Sequence, residues 1–541
     1  MADFHSPQNR PLDQPQTCDF DDLDAHYTWL LANHEVRVQA DRQSDLADLQ
    51  WPWASARYAR TITTRLATVV GDDLVPIVNR YYPGYQETIY GSEGLIVSKR
   101  LVVPLHSVDD RALFWSYECQ AEGDSVLRLD VEIDWGEPLT QRMVDGLLVA
   151  QCNPRAEQGI YRQSNADSTR VFGNPNGRPD VVTLDDVAGT AHLTYYVLVN
   201  GIVDVSLLLT LSDVGEQMAW NSFLALRDTE QVFARSNRVW EDLLQSARLW
   251  TPDARTNQLV QMGKRDAILH LVHLPAGMAP ASRATKDAYP LIGVLDALEP
   301  AQSRNLLAHM RRLAELGSGH MPTHVPQQAK DQAAPAHSAL QAANSVYLSA
   351  LAMHATRHPD ALFFTQHETA ISLCMQVLAE HNLEPTPPLP ADAARLHMQP
   401  DAPWHFADPW AGMAYAMDQI WTQCGVAVDG DDVIVQPAQQ SVASASSFPE
   451  PHSAPHWPWW ALLNLPIRYT STPPSEQRLS LVWDGATLHT TQPVRTTLPV
   501  IVHHSMRALH TDELDFDLTF EFVDTRDNQR TRTRFHPTQW L

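Results

Sequence analysis

Paired cysteines are missing from this chain. Its 541 residues include five, Cys18, Cys119, Cys152, Cys374 and Cys424, all far apart and none in a CxxC pair. That excludes a zinc ribbon and a thioredoxin-type motif, and leaves idle or buried thiols in a reducing compartment. Excess positive charge is missing too: 39 Lys and Arg stand against 64 Asp and Glu, a net charge of −25. A surface so acidic repels phosphate backbones and anionic lipid, so nucleic acid is not an expected partner. No window approaches the roughly eighteen consecutive apolar residues of a membrane span, so no membrane partner is expected. The opening stretch MADFHSPQNRPLDQPQT lacks a basic segment followed by an apolar one, which predicts a cytoplasmic protein. The phosphate-binding pattern GxxxxGKS/T, a GxGxxG after a strand, GxSxG and HExxH are all absent. Histidine is plentiful, at 24, but scattered. His320 and His324 would share a helix face, yet Pro322 between them breaks any helix, so neither metal nor other cofactor is expected.

What is present is a foldable chain. Hydrophobic residues make up 44% and charged residues 19%, which permits a large core and excludes wholesale disorder. At about 150 residues per domain the length predicts three or four domains, fewer if one is a large β-sandwich.

Residues 1–19 read as a loose polar arm. Over 20–215 short β-branched and aromatic runs dominate: Leu95–Val103, Ala112–Cys119, Val126–Ile133, Ala191–Val199 and Val203–Leu211. Gly, Asn, Asp and Pro separate them, which predicts an antiparallel sandwich. Within 216–252, Met218–Ser246 places Trp220, Phe223, Leu224, Val232, Phe233 and Val239 at helical spacing, a single long linker helix. Trp240 and Trp250 near its end suit a domain interface.

Residues 253–428 read as helical, with candidates Thr256–Leu274, Tyr289–Leu298, Gln302–Leu316, His337–His358, Ala361–His381 and Trp410–Cys424. Asp287 stands where an N-cap or first-turn carboxylate would open the second. Gly317 and Gly319 punctuate the end of the third. From 429 to 541 the signal returns to β, with strands over Val433–Val435, Ala461–Ile467, Leu479–Trp483, Ala486–Thr490 and Asp515–Phe522. No repeat of fixed period is present.

The order sandwich, linker helix, helical domain, β domain resembles the six-hairpin (α/α)6-toroid glycosidases, the glucoamylase-like and glycogen-debranching-like hydrolases and their phosphorylase kin. Three stretches carry the likeness. Glu93–Pro104 (EGLIVSKRLVVP) resembles a sandwich strand of that class. Thr285–Glu315, opening TKDAYPLIGVLDAL, resembles its first inner-helix motif, and Gly319–Pro322 the turn after it. His337–Phe364 resembles the next inner helix. The resemblance implies an N-terminal antiparallel β-supersandwich, a linker helix, a toroid-like (α/α) domain and a small C-terminal β-sandwich. It also implies an α-linked oligosaccharide or polysaccharide as partner, with Lys286 and Asp287 on the terminal sugar. The family has arginine where Lys286 stands, so the planar bidentate fork is lost.

Two departures arise from the residues themselves. Glycoside hydrolysis usually takes two carboxyl groups, and Ser338–Tyr347 (SALQAANSVY), where relatives carry an acid, holds only Gln341 and Asn344 as amides. Twelve helices with their connections need roughly 300–360 residues, whereas 253–428 is 428 − 253 + 1 = 176 residues, so the toroid is expected to be incomplete.

Asp408 is the candidate second carboxylate. It lies in Asp401–Trp410 (DAPWHFADPW), whose Trp404 and Trp410 have the chemistry of a sugar platform, because aromatic faces cover the apolar C–H faces of sugars. The same loop would equally serve as an apolar anchor with Asp408 capping the next helix. His320 would line the pocket mouth, or stand on a surface turn. Three readings stay open: a hydrolase using Asp287 and Asp408, with Lys286, His320, Trp404 and Trp410 around the sugar; a catalytically silent relative that binds carbohydrate or a protein; or a chain that shares only the scaffold, since fold does not fix function. The oligomeric state is not legible.

Overall fold

The structure, a computed structural model, describes residues 16–385 except 24–26, 52–56, 93, 106–110, 153–167, 214, 247–248, 251–253, 275–276, 327–336, 359 and 384; toward the carboxy terminus it describes 426–429, 432–435, 462–469, 475–483, 488–490, 494–496, 500–508, 516–524 and 529–535. These residues form two compact units. One runs to Glu241 and includes Leu271–His273; the other takes Asp242–His270 and the helices and strands from Leu274 onward.

The first unit is an antiparallel β-sandwich built round two strands of 23 residues, Ala112–Asp134 and Thr190–Ser212. They pair along their whole length, with a register shift between Ala121 and Ser125. Each serves two layers. Phe114–Ala121 pairs with Leu95–Val102, while Leu127–Asp134 pairs with Thr61–Thr68. Val181–Asp185 and Thr169–Gly173 flank the two halves of the other strand. The sequence predicts four strands here. The chain instead bends through the irregularity, where Gly201 takes φ +74° opposite Ala121, and a bulge lets one strand turn a corner without ending. Alternating burial along Leu95–Val102 shows one face of the sheet turned inward.

Two helices come next, α1 (Glu216–Leu226) and α2 (Thr229–Gln245). They replace the single linker helix expected from spacing: the helix stops at Arg227–Asp228, and Asp228 Oδ1 accepts the backbone N–H of Gln231 at 3.1 Å, opening a new one. Ala219, Phe223, Leu226 and Val232 pack with Phe114, Val149 and Leu208 of the sandwich. Trp240 belongs to this unit and is buried over Gly84, where a β-carbon would lie 2.3 Å from the indole Nε1. Only glycine leaves room for that ring.

The second unit carries α3 (Ala254–Leu269), α4 (Ala288–Leu298), α5 (Pro300–Leu316), α6 (His337–Arg357) and α7 (Ala361–Glu380). α3 ends five residues before the expected Leu274, because Leu271–Leu274 is extended and His273 N–H donates to the His34 carbonyl at 2.8 Å instead of continuing the helix. α4 buries every residue from Leu291 to Leu298 and is therefore central. It packs on α3, α5 and α6, and α5 packs on α7. Pro300 opens α5, where its missing N–H costs nothing. Asp360 Oδ1 caps α7 by accepting the N–H of Phe363 at 3.2 Å. Beyond them, strands from Leu249–Trp250 through Leu462–Tyr469 to Arg530–Phe535 form a seven-stranded sheet that is antiparallel except where Leu488–Thr490 runs parallel to Val500–Ala508. Val500–Ala508 and Arg530–Phe535 were not among the expected strands. The expected helix Trp410–Cys424 lies outside the described residues.

Candidate functional site

The start of α4 is assembled from three stretches of the second unit. Thr285–Asp287 forms one 3-10 turn leading into the helix. Thr285 N–H donates to the Thr323 carbonyl at 2.9 Å, and its hydroxyl donates to the Pro322 carbonyl. Val325 N–H donates back to the Arg283 carbonyl at 2.7 Å. The turn after α5 is thus laced to the segment before α4, and the two stretches singled out in sequence, Lys286–Asp287 and Gly319–Pro322, become neighbours.

Asp287 is 8% exposed. It occupies the N-cap position of α4, but its side chain makes no capping hydrogen bond there. Its Oδ2 instead accepts the Ser282 hydroxyl at 2.5 Å. That bond holds the carboxylate beside a helix amino terminus, whose partial positive charge favours the anion. Lys286 beside it is exposed. Arg283 holds φ +58°, so the loop reverses sharply just before the turn. Together these residues offer an acceptor and a cationic donor on adjacent positions, the minimal chemistry for gripping a hydroxylated ligand.

His320 is half-buried, donates from Nδ1 to the Gly317 carbonyl at 3.0 Å, and faces His381 with ring centroids 6.5 Å apart. Its ring is thereby engaged with the ends of α5 and α7. Asp408, Trp404 and Trp410 lie outside the described residues.

Asn344 occupies the stretch where relatives of the resembled family carry an acid. It is fully buried. Its Oδ1 accepts Met321 N–H at 3.0 Å and its Nδ2 donates to the Gly319 carbonyl at 2.8 Å. Both halves of the amide bind the turn that meets Thr285, and Nδ2 also donates to the Cys374 carbonyl of α7 at 3.4 Å. Tyr347, one helical turn on, shares a hydrogen bond with His367 Nδ1 at 2.8 Å.

Two features of this unit escaped the sequence reading. Arg265 and Asp266 are both buried on α3, with Arg265 Nη1 3.4 Å from Asp266 Oδ1. Burial pushes the Asp266 carboxyl up to about 7, against the pull of Arg265. The only sequence signal was an Arg-Asp pair inside a predicted helix. The other is a cluster of Asp296, His354 and His358; its signal was a histidine pair four residues apart at the end of a helix, with no Pro between them.

No family model and no curated protein matches the sequence. Among solved structures, a protein assigned as a kojibiose phosphorylase from human microbiome superposes with a TM-score of 0.51 at 7% identity, over 94% of this chain and 96% of that one. At such identity the likeness establishes the fold alone, a β-sandwich followed by helices. A GH36 alpha-galactosidase from Geobacillus stearothermophilus matches with a TM-score of 0.23 at 10% identity, over 35% of this chain and 41% of that one. A 4-alpha-glucanotransferase from Thermococcus litoralis matches at 0.22 and 10%, over 36% and 40%. Neither partial match adds to the fold assignment. Among the described residues no helix is long and apolar enough to cross a membrane.

Proposed function

We propose that this protein acts on an α-linked oligosaccharide, gripping it at the amino-terminal end of α4. One observation supports the reading: Asp287, nearly buried, is held by Ser282 at a helix start beside the exposed Lys286, within a fold shared with a carbohydrate phosphorylase. In this reading Asp287 accepts hydrogen bonds from sugar hydroxyls or acts as one carboxyl of the reacting pair. Asp408 is the other, and Trp404 and Trp410 cover the sugar's apolar face with His320 at the rim. Inverting hydrolysis would need the two carboxyl groups about 6.5–9.5 Å apart.

A second reading, a catalytically silent carbohydrate-binding relative, is favoured by Asn344. An amide fully engaged with backbone cannot deliver a proton to a leaving oxygen.

The test is turnover of nitrophenyl α- and β-glycosides and of maltooligosaccharides, with and without inorganic phosphate, by wild type, Asp287→Asn and Asp408→Asn. The catalytic reading expects activity on an α-linked substrate and at least a 100-fold loss in each variant. Turnover unchanged in both variants overturns the residue assignment. Melting shifted by maltooligosaccharide without turnover, and no shift in Asp287→Asn, supports the silent reading.

A further inference from the structure

The carboxy-terminal ends of α4 and α6 converge on one buried point. Asp296 stands in the last turn of α4, His354 in the last turn of α6, and His358 just beyond it. Their side chains are shut off from solvent, and one donor atom from each lies within 4.8 Å of the others. His354 Nδ1 donates to Asp296 Oδ1 at 2.6 Å, and His358 Nε2 donates to the Asp296 carbonyl at 3.0 Å. The second carboxylate oxygen, Oδ2, is buried and accepts no hydrogen bond. Its ion-pair partner, Arg357 Nη1, stands 3.6 Å away, beyond hydrogen-bond distance, and also gives a 2.9 Å hydrogen bond to the Gly293 carbonyl. A buried carboxylate oxygen without a donor is costly unless something else satisfies it.

We propose that Asp296, His354 and His358 form a structural site for a divalent metal, zinc by the character of its donors, that ties α4 to α6. Two imidazoles and a carboxylate are a borderline-soft set that suits zinc rather than calcium or magnesium. Zinc bonds of about 2.0–2.2 Å separate neighbouring ligand atoms by roughly 3.4 Å, within reach of small side-chain rotations from the observed cluster. The ion takes the place of the two hydrogens now pointing at Asp296. Each neutral ring carries its hydrogen on the other nitrogen, so no proton is lost from the rings. Oδ2 gains a partner.

Charge is the main objection, since Arg357 Nη1 lies 3.6 Å from Asp296 Oδ2 and Arg304 Nε lies 3.4 Å from His354 Nε2. Two things offset it. Arg304 lies 3.9 Å from Asp360, the carboxylate to which it turns when His354 Nε2 becomes a donor. Both helices also direct the negative ends of their dipoles at this point, where cations are favoured.

The full chain, expressed in zinc-supplemented medium, tests this by elemental analysis and thermal melting. The expected result is about one zinc per chain, removed by a chelator with a fall in Tm of at least about 4 °C and restored by zinc. Cobalt(II) loaded in its place should show the visible bands of a four-coordinate nitrogen–oxygen site. His358→Gln should lose the metal and the zinc-dependent part of Tm. Less than about a tenth of an equivalent of zinc, with Tm unmoved by zinc or chelator, overturns the proposal, as does full zinc content in His358→Gln. If that variant does not fold, wild-type metal content and the cobalt spectrum decide.

Discussion

Asn344 Oδ1 accepts the backbone N–H of Met321 at 3.0 Å, across the gap between α6 and the turn after α5. Its Nδ2 donates to the Gly319 carbonyl at 2.8 Å. The turn it holds is tight. Gly319 takes φ +89°, and a β-carbon there would lie 2.3 Å from the Leu373 carbonyl oxygen. Because the turn also receives Thr285, Asn344 supports the start of α4 through one intermediate layer.

Asn344→Ala is therefore expected to destabilise the protein by about 2–3 kcal/mol, since it strands a buried N–H and a buried carbonyl together. Asn344→Asp puts an acid into Ser338–Tyr347, but a carboxylate cannot donate to Gly319. It is expected to lower stability by at least about 1 kcal/mol and to confer no glycosidase activity. Denaturant unfolding and a glycoside assay on both variants check this. A stable, newly active Asn344→Asp enzyme would overturn it.

In the sandwich, Lys99 and Asp45 form an ion pair at 0% and 2% side-chain exposure. Thr64 gives the same Asp45 oxygen two more hydrogen bonds, at 2.9 and 3.1 Å. Burial pushes the Asp45 carboxyl up to about 6 even beside the ammonium, so desolvation outweighs the pairing. Lys99→Met alone is expected to cost about 3–5 kcal/mol by leaving a buried anion, while Lys99→Met with Asp45→Asn should recover at least about 2 kcal/mol of that loss. A double-mutant cycle in urea measures the coupling, and strictly additive losses would contradict it.

His34 links pH to stability. It is half-buried, with Nδ1 donating to the Leu271 carbonyl at 3.3 Å and its ring 5.2 Å from that of His273. Burial first, then His273, lowers its pKa to about 4, against the opposing effect of the Leu271 bond. The unfolded chain, with His near 6.5, binds more protons between pH 4 and 6.5, so this group's contribution is whole above about 6.5 and is lost on acidification toward 4. Asp266, raised to about 7, acts in the opposite sense over much of that window. The prediction therefore concerns a difference: His34→Gln should lessen the loss of stability between pH 7 and pH 4.5 by about 1–2 kcal/mol relative to wild type. Parallel stability–pH curves for the two proteins would refute it.

The order of β region, helices and β region was legible because it rests on period. Alternation in Leu95–Val102 and apolar continuity in Leu291–Leu298 are local, and they survive folding as one-sided burial and as a central helix. Boundaries that depend on distant partners were not legible. Nothing in Leu271–Leu274 announces the His34 carbonyl that receives its backbone, and nothing in Ala121–Ser125 announces that one strand crosses between two layers. Of the candidate site, sequence singled out Lys286–Asp287 and Gly319–Pro322 as separate stretches. Their juxtaposition through Thr285 and Val325 is a tertiary fact.

Composition and period alone determined an acidic chain with a large core, a sandwich first and helices after it. Only the tertiary structure decided what individual polar residues do. Asn344 became a clamp, Asp287 a carboxylate held by Ser282 rather than a helix cap, and Asp296 the meeting point of two histidines. The physical reason is range. Helix and strand preferences act over a few neighbours and are written in spacing, whereas a buried polar group takes its role from whichever partner the packed chain brings within about 3 Å.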